Sequence, residues 1–413
     1  MSASQAPPRD ARERFQARIG AGISFSRILL MFFIVAGHAA LIADWYGHYC
    51  AGLTYPYTDD AFPAFLAALA AQPSLADRIF LVYVYNFWSL NFAFYALSGF
   101  SLWFSLMRKG VFDLRDYFFS RFFGVYLGFF AAALAAFVVA VGVMGHVPGE
   151  HDLNYMLLGA VRARETMPYN DTLWFLSGLF ILYLLFPLLP ALYARTGYPG
   201  LAALFAGLCY AVYAKGYLAR YTFLPTAAYF FVLGVFAAAT LHVLARRLAP
   251  KGGGALKISP GPLILAGLGL VLAFALYRLY ALTYADLLAA GRLGKDTHAI
   301  GLFSFLAFLL AGTLIPWGAR TGRVLRLVSR GTFAVYVYHY LFMKLYGNHA
   351  GFKAFTLSVL PSSGFLTEHL LAGSLALYGL FLAAGLVYQL AFDAVTGAAR
   401  RYYGKPIVLR ERN

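Results

Sequence analysis

The sequence predicts an all-α, polytopic integral membrane protein in which about ten transmembrane helices form one bundle. Its composition is the first observation that predicts this class. Hydrophobic residues make up 61% of the 413 residues and charged residues only 12%, whereas soluble chains carry about 45–50% apolar and about 25% charged residues. The second observation is that apolar runs recur along the whole chain. Together they exclude a soluble enzyme, a disordered protein and a disulfide-rich secreted domain.

Each predicted span is a run of roughly 20 mostly apolar residues, which is the length a helix needs to cross a bilayer. In chain order the spans are 23–44, 79–106, 122–145, 172–194, 198–214, 222–244, 261–283, 297–317, 331–347 and 370–395. Residues 1–22 are then a cytoplasmic N-terminal segment, residues 23–395 the membrane domain, and residues 396–413 a basic cytoplasmic tail.

The charged residues predict how the chain is oriented. Ten spans place both termini on one side, and that side carries 22 of the 33 basic residues but only 6 of the 17 acidic ones. Because basic loops stay in the cytoplasm, we expect a multi-pass protein of the cell inner membrane with both termini cytoplasmic. The net charge of +16 is therefore expected to face anionic membrane lipid, and no nucleic acid is expected as a partner.

The first span contains two ionisable residues, Arg27 and His38. They are separated by almost three helical turns, so they share one face at about 16 Å along the axis. Ionisable side chains at membrane depth indicate a functional site by default. The alternatives are an arginine that snorkels to the interface and a core histidine that bonds to a neighbouring helix.

Polar side chains repeat at helical spacing in two later spans. The second span carries Asn91, Tyr95 and Ser98, and the ninth carries Thr332, Tyr336 and His339. Each set lies on one helix face, although ordinary interhelical hydrogen bonding explains such faces equally well. Gly99 predicts a close helix approach. Trp174 opens the fourth span, where an interfacial anchor is the alternative interpretation.

Five motifs together resemble those of the membrane acyltransferase-3 family, integral-membrane acyltransferases that modify bacterial glycans and related acceptors. They are Arg27-x10-His38, Phe94-Tyr95-Ala96-Leu97-Ser98-Gly99, Arg121-Phe122-Phe123-Gly124-Val125-Tyr126, Trp174-Phe175-Leu176 with Tyr183 and Pro187, and Thr332 to His339. Their order and spacing agree over residues 20–395. Two departures indicate a divergent branch: Leu179 stands where many members have a glutamate, and Phe118 replaces an upstream arginine of a cytoplasmic cluster.

The resemblance implies transfer of an acyl group, in the first instance acetyl, from cytoplasmic acyl-coenzyme A to a hydroxyl of an extracytoplasmic polysaccharide or glycolipid. Acetyl-CoA or another acyl-CoA is then the donor substrate, and no metal is expected. Arg115 and Arg121 are the expected coenzyme A residues, because arginine makes bidentate contacts with phosphate. Positive-inside topology alone is the alternative explanation for Arg115.

His38 is the expected catalytic residue, with Arg27 as the second member of the catalytic pair. A neutral imidazole can accept the proton of the attacking hydroxyl and return it to the thiolate leaving group. A covalent acyl-imidazole is the alternative. Ser98, Asn91, Trp174, Tyr183, Tyr336 and His339 are candidates for lining the cavity or binding the oxyanion, and simple packing explains each of them equally well.

A transporter or flippase that moves a glycan, lipid or acyl group without chemistry is the competing class, because transporters also bury ionisable residues. The paired interrupted helices and internal repeats typical of transporters are not evident in the sequence. A homo-oligomer or a polysaccharide-synthesis complex is compatible with either class. Four tyrosines of the first outer segment, Tyr46, Tyr49, Tyr55 and Tyr57, are candidates for stacking on a sugar.

Overall fold

The computed structural model describes residues 11–42, 67, 70–72, 74–158, 170, 172–211, 223–247, 296–348 and 370–403. The helices are α1 (Ala11–Ile42), α2 (Leu75–Tyr85), α3 (Leu90–Lys109), α4 (Leu114–Arg121), α5 (Leu127–Gly142), α6 (Glu150–Leu158), α7 (Leu173–Leu185), α8 (Leu188–Cys209), α9 (Phe223–Arg247), α10 (Asp296–Leu314), α11 (Ala319–Asn348) and α12 (Leu370–Tyr403). A 3-10 turn, Phe87–Ser89, connects α2 to α3, and a π turn, Phe122–Tyr126, connects α4 to α5.

Several of these helices are long and apolar enough to cross a membrane. They cover Phe15–Ala40, Phe87–Lys109, Leu114–Gly142, Leu224–Leu244 and Leu371–Ala398, and the bent pair α7 and α8 forms one further candidate. The predicted class, an all-α membrane protein, is therefore confirmed. The predicted span 261–283 lies outside the described residues, so the number of ten spans stays a prediction.

Two predicted spans are broken in the structure. The span predicted at 79–106 is interrupted at Asn86, whose side-chain amide donates to the Val82 carbonyl at 2.8 Å and ends α2. The span predicted at 172–194 ends as a straight helix at Leu185, and α7 and α8 meet at 55°. Pro187 lies at this bend, where its missing N–H cannot continue the helical hydrogen bonds.

Helix α1 packs against α3, α10, α11 and α12. It carries both Arg27 and His38, so the two residues lie on the helix with the most neighbours in the described bundle. Its segment 30–40 is almost entirely buried. Any polar group in that segment therefore has to find its partner on another helix or on its own backbone, because lipid and packed apolar side chains offer none.

Two glycines allow α3 and α9 to cross at close range. A Cβ atom added at Gly99 of α3 would overlap the carbonyl oxygen of Phe231 on α9, and one added at Gly234 of α9 would overlap that of Ala96. Glycine lets two backbones approach at such a crossing. The close approach predicted at Gly99 is thus confirmed, and it holds the α3–α9 pair together.

We predict that Gly99→Ala and Gly234→Ala each lower the thermal unfolding midpoint of the detergent-purified protein. The added methyl meets a backbone carbonyl that has no freedom to move, and overpacking of this kind costs about 1–3 kcal/mol. Gly207→Ala is the matched control, because no atom lies within 4 Å of the Cβ it would add. Equal midpoints for all three variants would contradict the glycine-mediated crossing.

Candidate active site

Two histidines far apart in the sequence meet inside the bundle. Nε2 of His339 on α11 lies 3.1 Å from Nδ1 of His38 on α1. Both residues are buried, with 6% of His38 and none of His339 exposed to solvent. The structure thus joins the histidine of the first predicted span to the histidine of the ninth in one hydrogen-bonded pair.

Each ring is also held by its own helix. Nδ1 of His38 lies 3.0 Å from the carbonyl oxygen of Ile34, one turn earlier. Nδ1 of His339 lies 2.9 Å from the carbonyl oxygens of both Val335 and Tyr336. These contacts fix the two imidazoles relative to their backbones as well as to each other, which leaves little freedom to either ring.

The two histidines belong to a closed series of rings, the aromatic circle, in which each ring contacts the next and the last contacts the first. The series is His38, Phe87, Trp88, Trp174, Phe175, Tyr336 and His339, with neighbouring ring centroids 4.6–6.1 Å apart. It joins α1, the 3-10 turn, α7 and α11. The break at Asn86 therefore has a consequence for the site, because it delivers Phe87 and Trp88.

Hydrogen bonds fasten the start of α7 to α11 beside the aromatic circle. The Tyr336 hydroxyl donates to the Thr172 carbonyl at 2.8 Å, and the Asn170 amide donates to the Val337 carbonyl at 3.0 Å. The Tyr336 hydroxyl is thus engaged with backbone. For this residue the structure favours the packing alternative, with a hydroxyl that positions Trp174 and Phe175.

In this part of the bundle, three buried polar atoms have no hydrogen-bond partner among the described residues. They are Nε1 of Trp88, Oγ of Ser89 and Oδ1 of Asn91. The Asn91 amide nitrogen donates to the Trp88 carbonyl at 3.2 Å, so the other end of this amide is left as an acceptor. Ser98 is half-buried on α3, and its predicted role in the cavity stays a prediction.

A second cluster, the arginine cluster, gathers around Arg121 at the last turn of α4. Its guanidinium carbon lies 5.2 Å from the ring centroid of Tyr183 and 5.8 Å from that of Tyr117. The Tyr117 hydroxyl donates to the Tyr183 carbonyl at 2.7 Å. Arg27 lies within electrostatic range of both Tyr183 and Arg121. The structure thus brings Arg27, Arg121 and Tyr183 together, as three predicted site residues.

A cleft of about 370 Å³ opens beside Arg121. Ser120 and Arg121 line one wall, and Gln389, Asp393 and Thr396 of α12 line the other. Asp393 lies 4.0 Å from the guanidinium of Arg330 and accepts a hydrogen bond from Gln389 at 2.9 Å.

The contribution of α12 was missed from the sequence. The only signal was the i, i+4, i+7 spacing of Gln389, Asp393 and Thr396. Of the two arginines predicted to bind the donor, Arg121 lines the cleft. Arg115 lies six residues earlier and is exposed on the first turn of α4.

The two clusters lie at different levels of the same helix. Arg27 belongs to the arginine cluster and His38 to the aromatic circle, so α1 separates them by about 16 Å along its axis. A molecule that contacts both clusters must therefore span about 16 Å.

Comparison with known proteins gives one finding that covers most of the chain. The acyltransferase-3 model, described as an acyltransferase domain, matches residues 21–388. This range contains both histidines and both arginines of the two clusters. No curated protein and no solved structure matches the chain.

We predict that Tyr336→Phe lowers the thermal unfolding midpoint, because the Thr172 carbonyl loses the 2.8 Å bond from the tyrosine and keeps the longer 3.3 Å bond from the Phe175 N–H. Loss of one hydrogen bond in this way costs about 0.5–1.5 kcal/mol. Tyr378→Phe is the comparison, since its hydroxyl donates to the Ile28 carbonyl at 2.8 Å, remote from α7. If α7 is fastened through Tyr336, limited proteolysis near residue 172 increases only in Tyr336→Phe; protection in both variants would refute that role.

Proposed function

Because the chain belongs to the acyltransferase-3 family and is therefore a membrane acyltransferase, we propose that it transfers an acyl group from acyl-coenzyme A to a hydroxyl acceptor. The acyl group is acetyl in the first instance. The acceptor is a polysaccharide or glycolipid on the extracytoplasmic side. The observation that carries this proposal is the buried His38–His339 pair, which provides a base in a bundle built mainly from apolar and aromatic side chains.

His38 acts as the general base in this proposal. As the acceptor oxygen attacks the thioester carbon, its proton moves to the imidazole of His38. The new ester bond forms, the carbon–sulfur bond breaks, and the same proton passes to the departing thiolate of coenzyme A. No proton is gained or lost overall, so one buried imidazole is sufficient for a complete turnover.

The arginine cluster binds the charged head of the donor. Coenzyme A carries a pyrophosphate and a 3′-phosphate, and guanidinium groups are suited to paired contacts with phosphate oxygens. Nε of Arg121 has no hydrogen-bond partner among the described residues, which supports this assignment. The separation of about 16 Å between Arg27 and His38 fits a donor whose thioester is held away from its phosphates by the extended pantetheine arm.

The acceptor reaches His38 from the opposite end of the bundle. Oδ1 of Asn91 and Nε1 of Trp88, which bond to no described residue, are an acceptor and a donor for its hydroxyl groups, and the aromatic faces nearby suit a sugar ring. The tyrosines predicted to stack on the acceptor, Tyr46 to Tyr57, lie outside the described residues.

The proposed orientation places the Arg121 cleft in the cytoplasm of a cell with both chain termini on that side. Arg121 and Arg330 are both on the predicted cytoplasmic side. Arg121 lines the cleft, and Arg330 lies 4.0 Å from Asp393, which also lines it. This agreement supports a cytoplasmic position for the cleft. Soluble acyl-CoA then arrives at the face that carries the complementary charge.

We predict that His38→Ala lowers acyl transfer by about 100- to 10,000-fold, the contribution typical of a general base. The assay uses inverted vesicles from the producing cells with [14C]acetyl-CoA outside, and it counts alkali-labile label in the glycan fraction. Ser24→Ala is the matched control on α1, because it removes a buried hydroxyl that bonds only to the Gly20 carbonyl. Undiminished transfer by a folded His38→Ala protein would refute the base assignment. Transport of glycan with no release of coenzyme A thiol would favour a transporter.

We predict that Arg121→Gln raises the KM for acetyl-CoA by about 10- to 100-fold, the loss expected for one charge-assisted phosphate contact, while kcat changes less. Arg320→Gln removes the same charge from an exposed position of α11 and is expected to leave KM within about twofold. Similar increases in both variants would show that general positive potential, and not a phosphate site at Arg121, governs donor binding.

A further inference from the structure

We propose that His339 is a positioning residue that fixes the tautomer of His38, so that Nε2 of His38 is the nitrogen that exchanges the proton with the substrates. This inference rests on the proposed function, in which His38 is the general base. It follows from counting donors and acceptors around the two rings, each of which faces backbone carbonyls that can only accept hydrogen bonds.

The first step is to decide which ring nitrogen of His339 carries the hydrogen. Its Nδ1 lies 2.9 Å from the carbonyl oxygens of Val335 and Tyr336, and both partners are acceptors. Nδ1 must therefore carry hydrogen. A neutral imidazole has one N–H and one lone pair, so Nε2 of His339 presents its lone pair to His38.

The same reasoning assigns the proton of His38. Its Nδ1 lies between the Ile34 carbonyl at 3.0 Å and Nε2 of His339 at 3.1 Å, and both are acceptors in this arrangement. Nδ1 of His38 therefore carries hydrogen. Its lone pair is left at Nε2, for which no described residue provides a hydrogen-bond partner, and a base needs this lone pair free.

The reaction then uses one nitrogen throughout. The acceptor hydroxyl gives its proton to Nε2 of His38, which becomes an imidazolium while the ester bond forms and the thioester bond breaks. The opposite N–H still points at the Ile34 carbonyl and at Nε2 of His339, and both stabilise the positive charge. The proton at Nε2 then moves to the coenzyme A thiolate, which restores the starting tautomer.

Two amide substitutions separate this role from simple packing. The side chain of His339→Gln reaches the former Nε2 position and can accept from His38. That of His339→Asn is shorter, so it can still donate to the Val335 and Tyr336 carbonyls but leaves Nδ1 of His38 without its second acceptor. Both amides are polar and fit the volume of the imidazole, so a merely structural role predicts similar behaviour.

The test measures kcat and KM for [14C]acetyl-CoA in the inverted-vesicle assay. We expect His339→Asn to lower kcat by about 10- to 100-fold and His339→Gln to remain within about threefold of the wild type, with KM unchanged in both. Thr332→Val is the folding control on the same helix. It removes a buried hydroxyl whose partner among the described residues is the Ser329 carbonyl. The double variant His38→Ala/His339→Asn is expected to be no slower than His38→Ala, because His339 acts through His38.

Equal kcat values for the Asn and Gln variants would overturn the positioning role. A rise in KM at constant kcat would also overturn it, because His339 would then contact the donor. Full additivity in the double variant would do the same. If His38→Ala itself keeps its activity, the proposed base fails first, so that failure is distinguishable from a failure confined to His339.

Discussion

The site depends on how two imidazoles are accommodated in the buried interior of the bundle. An unpaired polar group in an apolar bundle costs several kcal/mol, and His38 and His339 avoid this by bonding to each other and to the carbonyls of their own helices. That solution requires α1 and α11 to lie side by side at one level. The other rings of the aromatic circle pack against the pair. The glycine crossings between α3 and α9 let those helices pack closely beside it.

The second organising feature is the division of α1 into two environments. At the level of the arginine cluster, a cleft opens beside Arg121 and is lined on its other side by α12 side chains. Near His38 the bundle is enclosed by rings and almost without solvent. The proposed acyl-CoA donor would place opposite requirements on these two regions, since its phosphates need charge and water while the proposed base works best where water is excluded. The length of α1 between these residues satisfies both.

Periodicity in the sequence could predict the membrane class, the shared face of Arg27 and His38, and the close approach at Gly99, because each is a local property of one helix. The partner of each face could not be predicted in this way. The contact between His38 and His339 joins positions 301 residues apart, and helical spacing shows which residues share a face but not which helix that face meets. The break at Asn86 was hidden for a similar reason, because an apolar run continues through it.

The proposed reaction requires a donor site and an acceptor site that open on opposite faces of the membrane. Acetyl-CoA does not cross lipid, so intact inverted and right-side-out vesicles from the same cells can be given [14C]acetyl-CoA outside and compared for alkali-labile label in glycan. The proposed reaction predicts that glycan is labelled in intact inverted vesicles. In right-side-out vesicles it predicts labelled glycan only after a detergent opens them. Equal labelling of both intact preparations would contradict it.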